Sequence, residues 1–175
     1  MDELKKLATH VEDLLDAEIE LVPSSKLEIE KLRARLPVFP ESLASYLAIF
    51  CGDSRLLHPF WLMGAKGILA SYEILLSLNP GEYPTFIFEE PFPFRFDKFW
   101  REKWIPIAEL NNEDFFFIDM DPGEGGVIGQ IGLVQELELC LVADSLENWF
   151  SGVREKIVPP LEGENEWEDQ IWYEW

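Results

Sequence analysis

The sequence is poor in the residues on which most enzymes and disulfide-linked proteins rely. It contains two histidines and two cysteines among 175 residues. Neither His10 nor His58 lies in a known motif with a serine or cysteine nucleophile, so both are interpreted as structural. Cys51, His58 and Cys140 are too widely spaced for a typical zinc site. We therefore expect no catalytic residue, no metal and no cofactor, and we interpret Cys51 and Cys140 as buried free thiols in a reducing compartment.

Long hydrophobic runs are also missing. The N-terminal stretch, MDELKKLATHVEDLL, has acids throughout and lacks the continuous apolar segment of a signal peptide. No run approaches the ~18 apolar residues that a membrane-spanning helix needs. These absences predict a soluble, cytoplasmic protein.

Basic residues are scarce relative to acidic ones. The chain has 14 Lys and Arg against 34 Asp and Glu, which gives a formal net charge of −20. This charge repels nucleic acids and anionic lipid surfaces, and it speeds the encounter with basic proteins. The alternative interpretation is that the acidity only keeps an aromatic-rich chain soluble. Either way the charge disfavours nucleic acid and membranes as partners, and the expected partner is a protein.

The stretch from Trp104 to Phe150 carries the clearest structural pattern. It predicts a strand, a turn, a second strand, a Gly-rich turn, two further strands and a helix. The apolar run Phe115–Ile118 is bounded by Asp114 and by the turn residues 119–123, as in a buried strand. We expect the Trp104 ring to pack under this sheet.

Helical periodicity and capping signals predict four helices before this sheet and one after it. The first runs from about residue 2 to 17, and the second starts at a capping box of Ser25 and Glu28 and ends at Pro37. The third follows Pro40 and is closed by Gly52, and the fourth contains Ile68–Leu76. A last helix is capped by Asp144–Glu147, with Leu146, Trp149, Phe150 and Val153 facing inward. Short strands are predicted at His58–Met63 and Thr85–Phe88.

The aromatic segment before the sheet is a candidate contact surface. Alternation along an extended chain places Phe92, Phe94 and Phe96 on one side, toward the core, and Pro93 and Arg95 on the other. Aromatic and arginine side chains together are typical of interface anchors. Phe94, Arg95 and Trp100 are therefore candidate partner-binding residues.

The Gly-rich stretch 123–129 resembles a nucleotide-binding loop only superficially. It lacks the Gly-Lys-Ser/Thr of a phosphate loop, and Ile128 stands where a dinucleotide fingerprint needs glycine. Asp119, Asp121 and Glu124 could hold a divalent cation or serve as an acid–base pair. We favour a turn whose Asp side chains bond their own backbone, and we name these three acids as candidate partner-binding residues.

Three blocks of sequence resemble the SUKH superfamily, which is named after a fungal cell-wall synthesis regulator and bacterial relatives. The first block runs from Ile29-Glu30-Lys31-Leu32 through Leu36-Pro37 to Ser45-Tyr46-Leu47. The second is Trp104-Ile105-Pro106-Ile107-Ala108. The third joins Asp119-Met120-Asp121-Pro122, the stretch Gly126–Ile131, which is similar to the family's Gly-Gln strand, and Val142-Ala143-Asp144-Ser145-Leu146. Their order and spacing carry the resemblance, which spans roughly residues 25–155.

The resemblance implies an α+β fold with one SUKH-like domain. A central, mostly antiparallel sheet would be flanked by N-terminal helices and a C-terminal helix. It also implies a non-enzymatic, protein-binding role. Many bacterial members are immunity proteins that neutralise polymorphic toxins, often nucleases, so a basic toxin domain is the expected partner. The alternative is a regulatory scaffold that binds an endogenous regulatory protein.

The chain divides into three parts. Residues 1–24 form an N-terminal helical extension, residues 25–158 the SUKH-like domain, and residues 159–175 a tail. From Glu162 to Trp175 the tail holds six acids, no bases, three tryptophans and one tyrosine. The acids alone predict a solvated tail, whereas the indoles predict docking on this domain or on a partner.

Overall fold

The computed structural model describes residues 2–15, 19, 21–53, 60–78, 92–95, 99–110, 113–135 and 138–156. Five helices lie in these ranges: α1 (Asp2–Leu15), α2 (Lys26–Arg35), α3 (Glu41–Leu47), α4 (Ala65–Ser77) and α5 (Leu146–Lys156). Six strands accompany them: β1 (Gly52–Asp53), β2 (Trp61–Met63), β3 (Trp104–Leu110), β4 (Asp114–Asp119), β5 (Gln130–Gln135) and β6 (Glu138–Ala143).

The six strands form one sheet in the order β1-β2-β3-β4-β5-β6. Every neighbouring pair is antiparallel, so the sheet follows the order of the chain. Strands β3 to β6 and helix α5 confirm the pattern that the stretch from Trp104 to Phe150 predicts. The expected α+β class, with an antiparallel sheet between N-terminal helices and a C-terminal helix, is confirmed.

Strand β4 is buried on both faces because each face meets a different aromatic layer. On one face Phe116 packs against Phe60 and against Trp149 of α5, with ring centroids 4.7 and 4.9 Å apart. On the other face Phe117 stacks on Trp104 with centroids 4.4 Å apart. Such contacts add to the free energy of apolar burial. The Trp104 ring is fully buried, as expected.

Helices α1 and α5 complete the core on the Trp149 side. Leu146, Trp149, Phe150 and Val153 of α5 are buried, as predicted, and Ser145 caps the helix by accepting the Asn148 N–H at 3.2 Å. Leu4, Leu7 and Val11 of α1 are fully buried in the same hydrophobic cluster. Helix α1 packs on α5, where Arg154 contacts Glu3 at 3.1 Å. The N-terminal helix therefore shares the core of the sheet domain.

The capping signals are confirmed at α2. The Ser25 hydroxyl accepts the Glu28 N–H at 3.3 Å, and the Glu28 carboxylate accepts the Ser25 N–H at 3.2 Å. Helix α3 differs from the prediction. It ends at Leu47 rather than at Gly52, and the chain leaves it through a turn in which the Ile49 and Phe50 amides share the Tyr46 carbonyl.

Two further expectations are corrected or limited. Cys51 and Cys140 are exposed rather than buried. Cys140 lies on the edge strand β6, whereas its neighbour Leu139 is buried.

The predicted strand His58–Met63 appears as β2 over Trp61–Met63, and its first two residues lie outside the described ranges. The predicted strand Thr85–Phe88 and the tail 159–175 also lie outside them.

A helix that crosses a bilayer needs about 20 predominantly apolar residues. Across the described parts of the chain, no helix is both long and apolar enough to cross a membrane.

The packing of α1 makes a prediction about stability. Truncating the fully buried Leu7 to alanine leaves a cavity between α1 and α5. We expect Leu7→Ala to lower the free energy of unfolding by about 2–5 kcal/mol. Urea denaturation measures this change. The matched control is Lys5→Ala, an exposed position on the same helix, for which a change within about 0.5 kcal/mol is expected. Equal effects of the two substitutions would show that α1 is not part of the core.

Candidate functional site

The candidate site is the connection between β4 and β5, residues 120–129, which we call the β4–β5 loop. The loop begins after Asp119 and ends before Gln130, and these two residues are paired directly across the two strands. Asp119 and Gln130 are 0% and 1% exposed, and they are two of the few buried polar side chains described. Buried polar groups need hydrogen-bond partners, and the loop provides them.

The side chains of Asp119 and Gln130 bond to each other and to the loop backbone. Gln130 Nε2 donates to Asp119 Oδ2 at 3.1 Å, and Gln130 Oε1 accepts the Val127 N–H at 2.9 Å. Asp119 Oδ1 accepts the Asp121 N–H at 2.8 Å, which confirms the predicted turn in which an Asp bonds its own backbone. The Gly129 N–H closes the loop by donating to the Asp119 carbonyl at 2.7 Å.

Burial also changes the acidity of Asp119. Desolvation raises the pKa of this carboxyl above its ordinary value, and the hydrogen bonds from Asp121 and Gln130 only partly oppose that rise. A raised pKa in the folded state means that Asp119 favours folding most below its unfolded pKa. That contribution is lost as the pH rises through the folded pKa. Burial of the Asp119 charge is therefore unfavourable, and the hydrogen bonds of this side chain have a structural role in the loop.

Asp121 lies among three basic side chains. Its carboxylate is 3.2 Å from Arg101 Nη2, 3.7 Å from Arg95 Nη1 and 3.8 Å from Lys103 Nζ. The Asp121 side chain is 24% exposed, and that of Arg101 only 16%. Three cations compensate this carboxylate, so Asp121 does not present an isolated negative charge to a partner.

The loop base packs tightly on residues 92–95. The Gly123 N–H donates to the Pro93 carbonyl at 2.9 Å, and Gln130 Nε2 donates to the same carbonyl at 2.8 Å. From the other side, Arg95 Nε donates to the Pro122 carbonyl at 3.1 Å. A Cβ atom on Gly126 would lie 2.3 Å from the Pro93 carbonyl oxygen. Only glycine allows this close approach of the two backbones.

The aromatic candidates Phe94 and Trp100 are core residues. They are 3% and 4% exposed, and both rings contact Phe117 and Trp104. The Trp100 indole Nε1 donates to the Trp104 carbonyl at 3.0 Å. Arg95 is exposed, as the alternation predicts, Phe92 is partly buried, and Phe96 lies outside the described residues. Phe94 and Trp100 therefore belong to the aromatic core on one face of β4, and Arg95 lies at the surface of the loop.

The exposed side chains of the loop are those of Glu124, which is a candidate from the sequence, and of Val127 and Ile128, which are not. Glu124 is exposed, and the side chains of Val127 and Ile128 are 51% and 68% exposed. The sequence signal that could have identified them is two aliphatic residues between glycines inside a predicted turn. Such a pair in a turn does not belong to the buried face of a predicted strand or helix.

The polar atoms of this site are already used within the protein. The Asp119 carboxylate accepts two internal hydrogen bonds, and the Asp121 carboxylate contacts three cations. Within the described ranges, no group of three or more His, Cys, Asp or Glu side chains is placed to hold a metal ion. The arrangement forms a supported surface loop that carries an acid, an arginine and two aliphatic side chains.

Comparison with known proteins identifies the family. The profile described as the SMI1 / KNR4 family (SUKH-1) matches residues 23–152, well over half of the chain. The chain therefore belongs to this family. A comparison with curated proteins returns no significant match. The family includes toxin-immunity and cell-wall regulator-like members, and its proteins are interaction modules that are generally non-catalytic.

The buried pair makes a prediction about stability and pH. Gln130→Glu removes the amide donor to Asp119 and to Pro93 and places a second carboxylate beside the first. We expect this substitution to lower the free energy of unfolding at pH 7 by about 3 kcal/mol or more. Two carboxylates in one buried site raise a pKa, so the loss should be smaller at pH 5 than at pH 7. Urea denaturation at both pH values measures it.

The matched control for this prediction is Gln135→Glu. Gln135 ends the same strand, is partly exposed and faces Glu138 rather than Asp119. The same chemical change there should cost less than about 1 kcal/mol at either pH. The prediction is contradicted if the Gln130 and Gln135 variants lose equal stability, or if the Gln130 variant is no better folded at pH 5.

Proposed function

We propose that this SUKH-1 family member is a non-catalytic protein-binding module, and specifically a bacterial immunity protein that neutralises a basic toxin domain. The observation that carries the proposal is the formal net charge of −20 on a chain that belongs to this family. Acidic surfaces attract basic partners and mimic the charge of nucleic acid, the substrate of a nuclease toxin. The proposal places the protein in the cytoplasm, with a protein rather than a nucleic acid or a membrane as its partner.

The excess of acidic residues supports a net negative field around the protein, within which basic side chains are concentrated locally. Among the residues that the structure describes, six basic side chains lie within 4 Å of the carboxylates of Glu3, Glu73 and Asp121. These contacts concentrate positive charge at a few points, while acids outnumber bases by 34 to 14 along the chain. The negative excess is therefore carried by many other acids. A field of this extent acts mainly on the rate of association.

The proposed contact surface is the β4–β5 loop with Arg95. Arg95 and Glu124 are its exposed charged side chains, and Asp121 is partly exposed beside them. Asp119 would contribute by bonding the loop backbone, and the buried Phe94 and Trp100 by packing in the core beside β4. Each candidate residue would therefore act in contact or in support, and none would take part in a reaction.

The alternative is a regulatory scaffold that binds an endogenous protein through the acidic, aromatic tail. The favouring observation is the composition of residues 162–175, with three tryptophans among six acids and no bases. Deleting these residues separates the two proposals. A scaffold that uses the tail loses its partner while the remaining domain still unfolds cooperatively, whereas the immunity proposal predicts that the toxin is still bound.

The immunity proposal predicts protection and charge-dependent binding. Co-expression with a basic toxin domain encoded beside this chain should restore growth, and the purified proteins should bind. Glu124→Lys should slow association about 3- to 10-fold at low ionic strength, because it reverses a charge at the contact surface. The difference should shrink as salt is raised. Stopped-flow or surface-binding kinetics over a salt series measures both effects.

The matched control is Glu155→Lys, which changes the net charge equally but lies near the end of α5. It should slow association less than the Glu124 substitution. Equal effects of the two reversals would contradict the placement of the contact surface at the loop. Absence of a toxin domain encoded nearby would contradict the immunity role. Failure of the unmodified protein to protect cells against such a domain would contradict it as well.

A further inference from the structure

The β4–β5 loop exposes two neighbouring aliphatic side chains at its tip. Ile128, at 68%, is the most exposed large hydrophobic residue among those the structure describes, and Val127 beside it is 51% exposed. Scattered single hydrophobic residues are normal on protein surfaces, whereas adjacent exposed ones form a small apolar patch that a partner could cover. Exposing them loses roughly 25 cal/mol for each Å² of apolar area left in water.

The tip is held in place by backbone hydrogen bonds. The Val127 N–H donates to Gln130 Oε1 at 2.9 Å, and the Val127 carbonyl accepts the Gln130 N–H at 3.0 Å. On either side of the tip, Gly125 and Gly129 adopt positive φ values of 79° and 90°, which L side chains rarely adopt. The conformation of the tip is therefore specified by the buried Gln130 and by the two glycines.

The base of the loop is packed tightly against residues 92–95. Gly123 and Gly126 lie so close to the backbone of residues 92–95 that a Cβ on either would overlap a carbonyl oxygen. Arg95 Nε anchors the same segment to the Pro122 carbonyl. Exposure of Val127 and Ile128 thus follows from a fixed architecture. Side chains on a rigid loop lose little conformational entropy on binding, which favours affinity.

We propose that Val127 and Ile128 are the apolar anchor of the partner-binding surface, and that they insert into an apolar pocket on a basic protein. The basic character of the partner rests on the proposed function, whereas the anchor rests on the exposure and fixed geometry of the tip. Glu124, an exposed residue of the same loop, would face basic side chains around the pocket. An anionic membrane is disfavoured because a net charge of −20 repels it.

The chain offers a matched control for this proposal. Ile74, on helix α4, has a 59% exposed side chain of the same chemical type. Val127→Ser/Ile128→Ser removes the proposed anchor, and Ile74→Ser removes a comparable exposed aliphatic group elsewhere. Both variants should keep the unfolding midpoint of the parent protein to within a few degrees, because surface substitutions have small effects on stability.

The experiment uses a photo-crosslinking amino acid, p-benzoylphenylalanine, in place of Ile128 or of Ile74 in the full chain. It is performed in cells of the organism that encodes the protein. Irradiation should give one discrete adduct from position 128 and none of the same mass from position 74. The cross-linked protein is then identified, purified and titrated against the parent chain and the two serine variants. The double serine variant should bind at least about 10-fold more weakly, as expected from two buried aliphatic groups, and Ile74→Ser should bind as the parent does.

The outcomes separate the anchor from the immunity role. Absence of an adduct at position 128 overturns the proposal, and so does a captured protein that binds the double serine variant as tightly as the parent. If the captured protein is an endogenous regulator and the double variant binds it weakly, the immunity role fails while the anchor is supported. A basic toxin domain with the same loss of affinity supports both.

Discussion

The hydrogen bond between the buried side chains of Asp119 and Gln130 is the contact on which the loop end of this domain depends. The two residues are cross-strand partners at the ends of β4 and β5, and each also bonds loop backbone. Burying a carboxylate is unfavourable, which raises the pKa of Asp119, and it is tolerated when internal donors replace water. A polar pair that satisfies its own hydrogen bonds in this way specifies one loop conformation, which apolar packing alone does not do.

The pair can serve this role because the surroundings are rigid. Strand β4 lies between two aromatic layers, one that includes Trp149 of α5 and one built from Phe94, Trp100 and Trp104. The second layer brings Pro93 and Arg95 against the loop, where they bond Gln130, Gly123 and the Pro122 carbonyl. The residues that looked like interface anchors in the sequence thus lie one layer below the surface. They fix the side chains that do face solvent.

The sequence predicted the elements that local signals specify. An apolar run bounded by turn residues marked β4, and a serine three residues before a glutamate marked the start of α2. Contacts between distant residues were not predictable in the same way. Asp121 is compensated by Arg95, Arg101 and Lys103, which precede it by 18–26 positions, and only the fold brings them together. The exposure of Cys51 and Cys140 likewise depends on sheet edges and turns, which composition does not reveal. The acids of the turn were visible in the sequence, whereas the exposed tip was not.

The family scaffold therefore presents a preorganised loop on a strongly acidic protein. Amide hydrogen exchange of the free protein, followed by NMR, tests this claim most directly. The amides of Asp121, Val127 and Gly129 donate to the buried pair, so they should exchange slowly, as the amides of β4 do. Exchange of these three amides at the rate of an unstructured peptide, while β4 remains protected, would contradict the account.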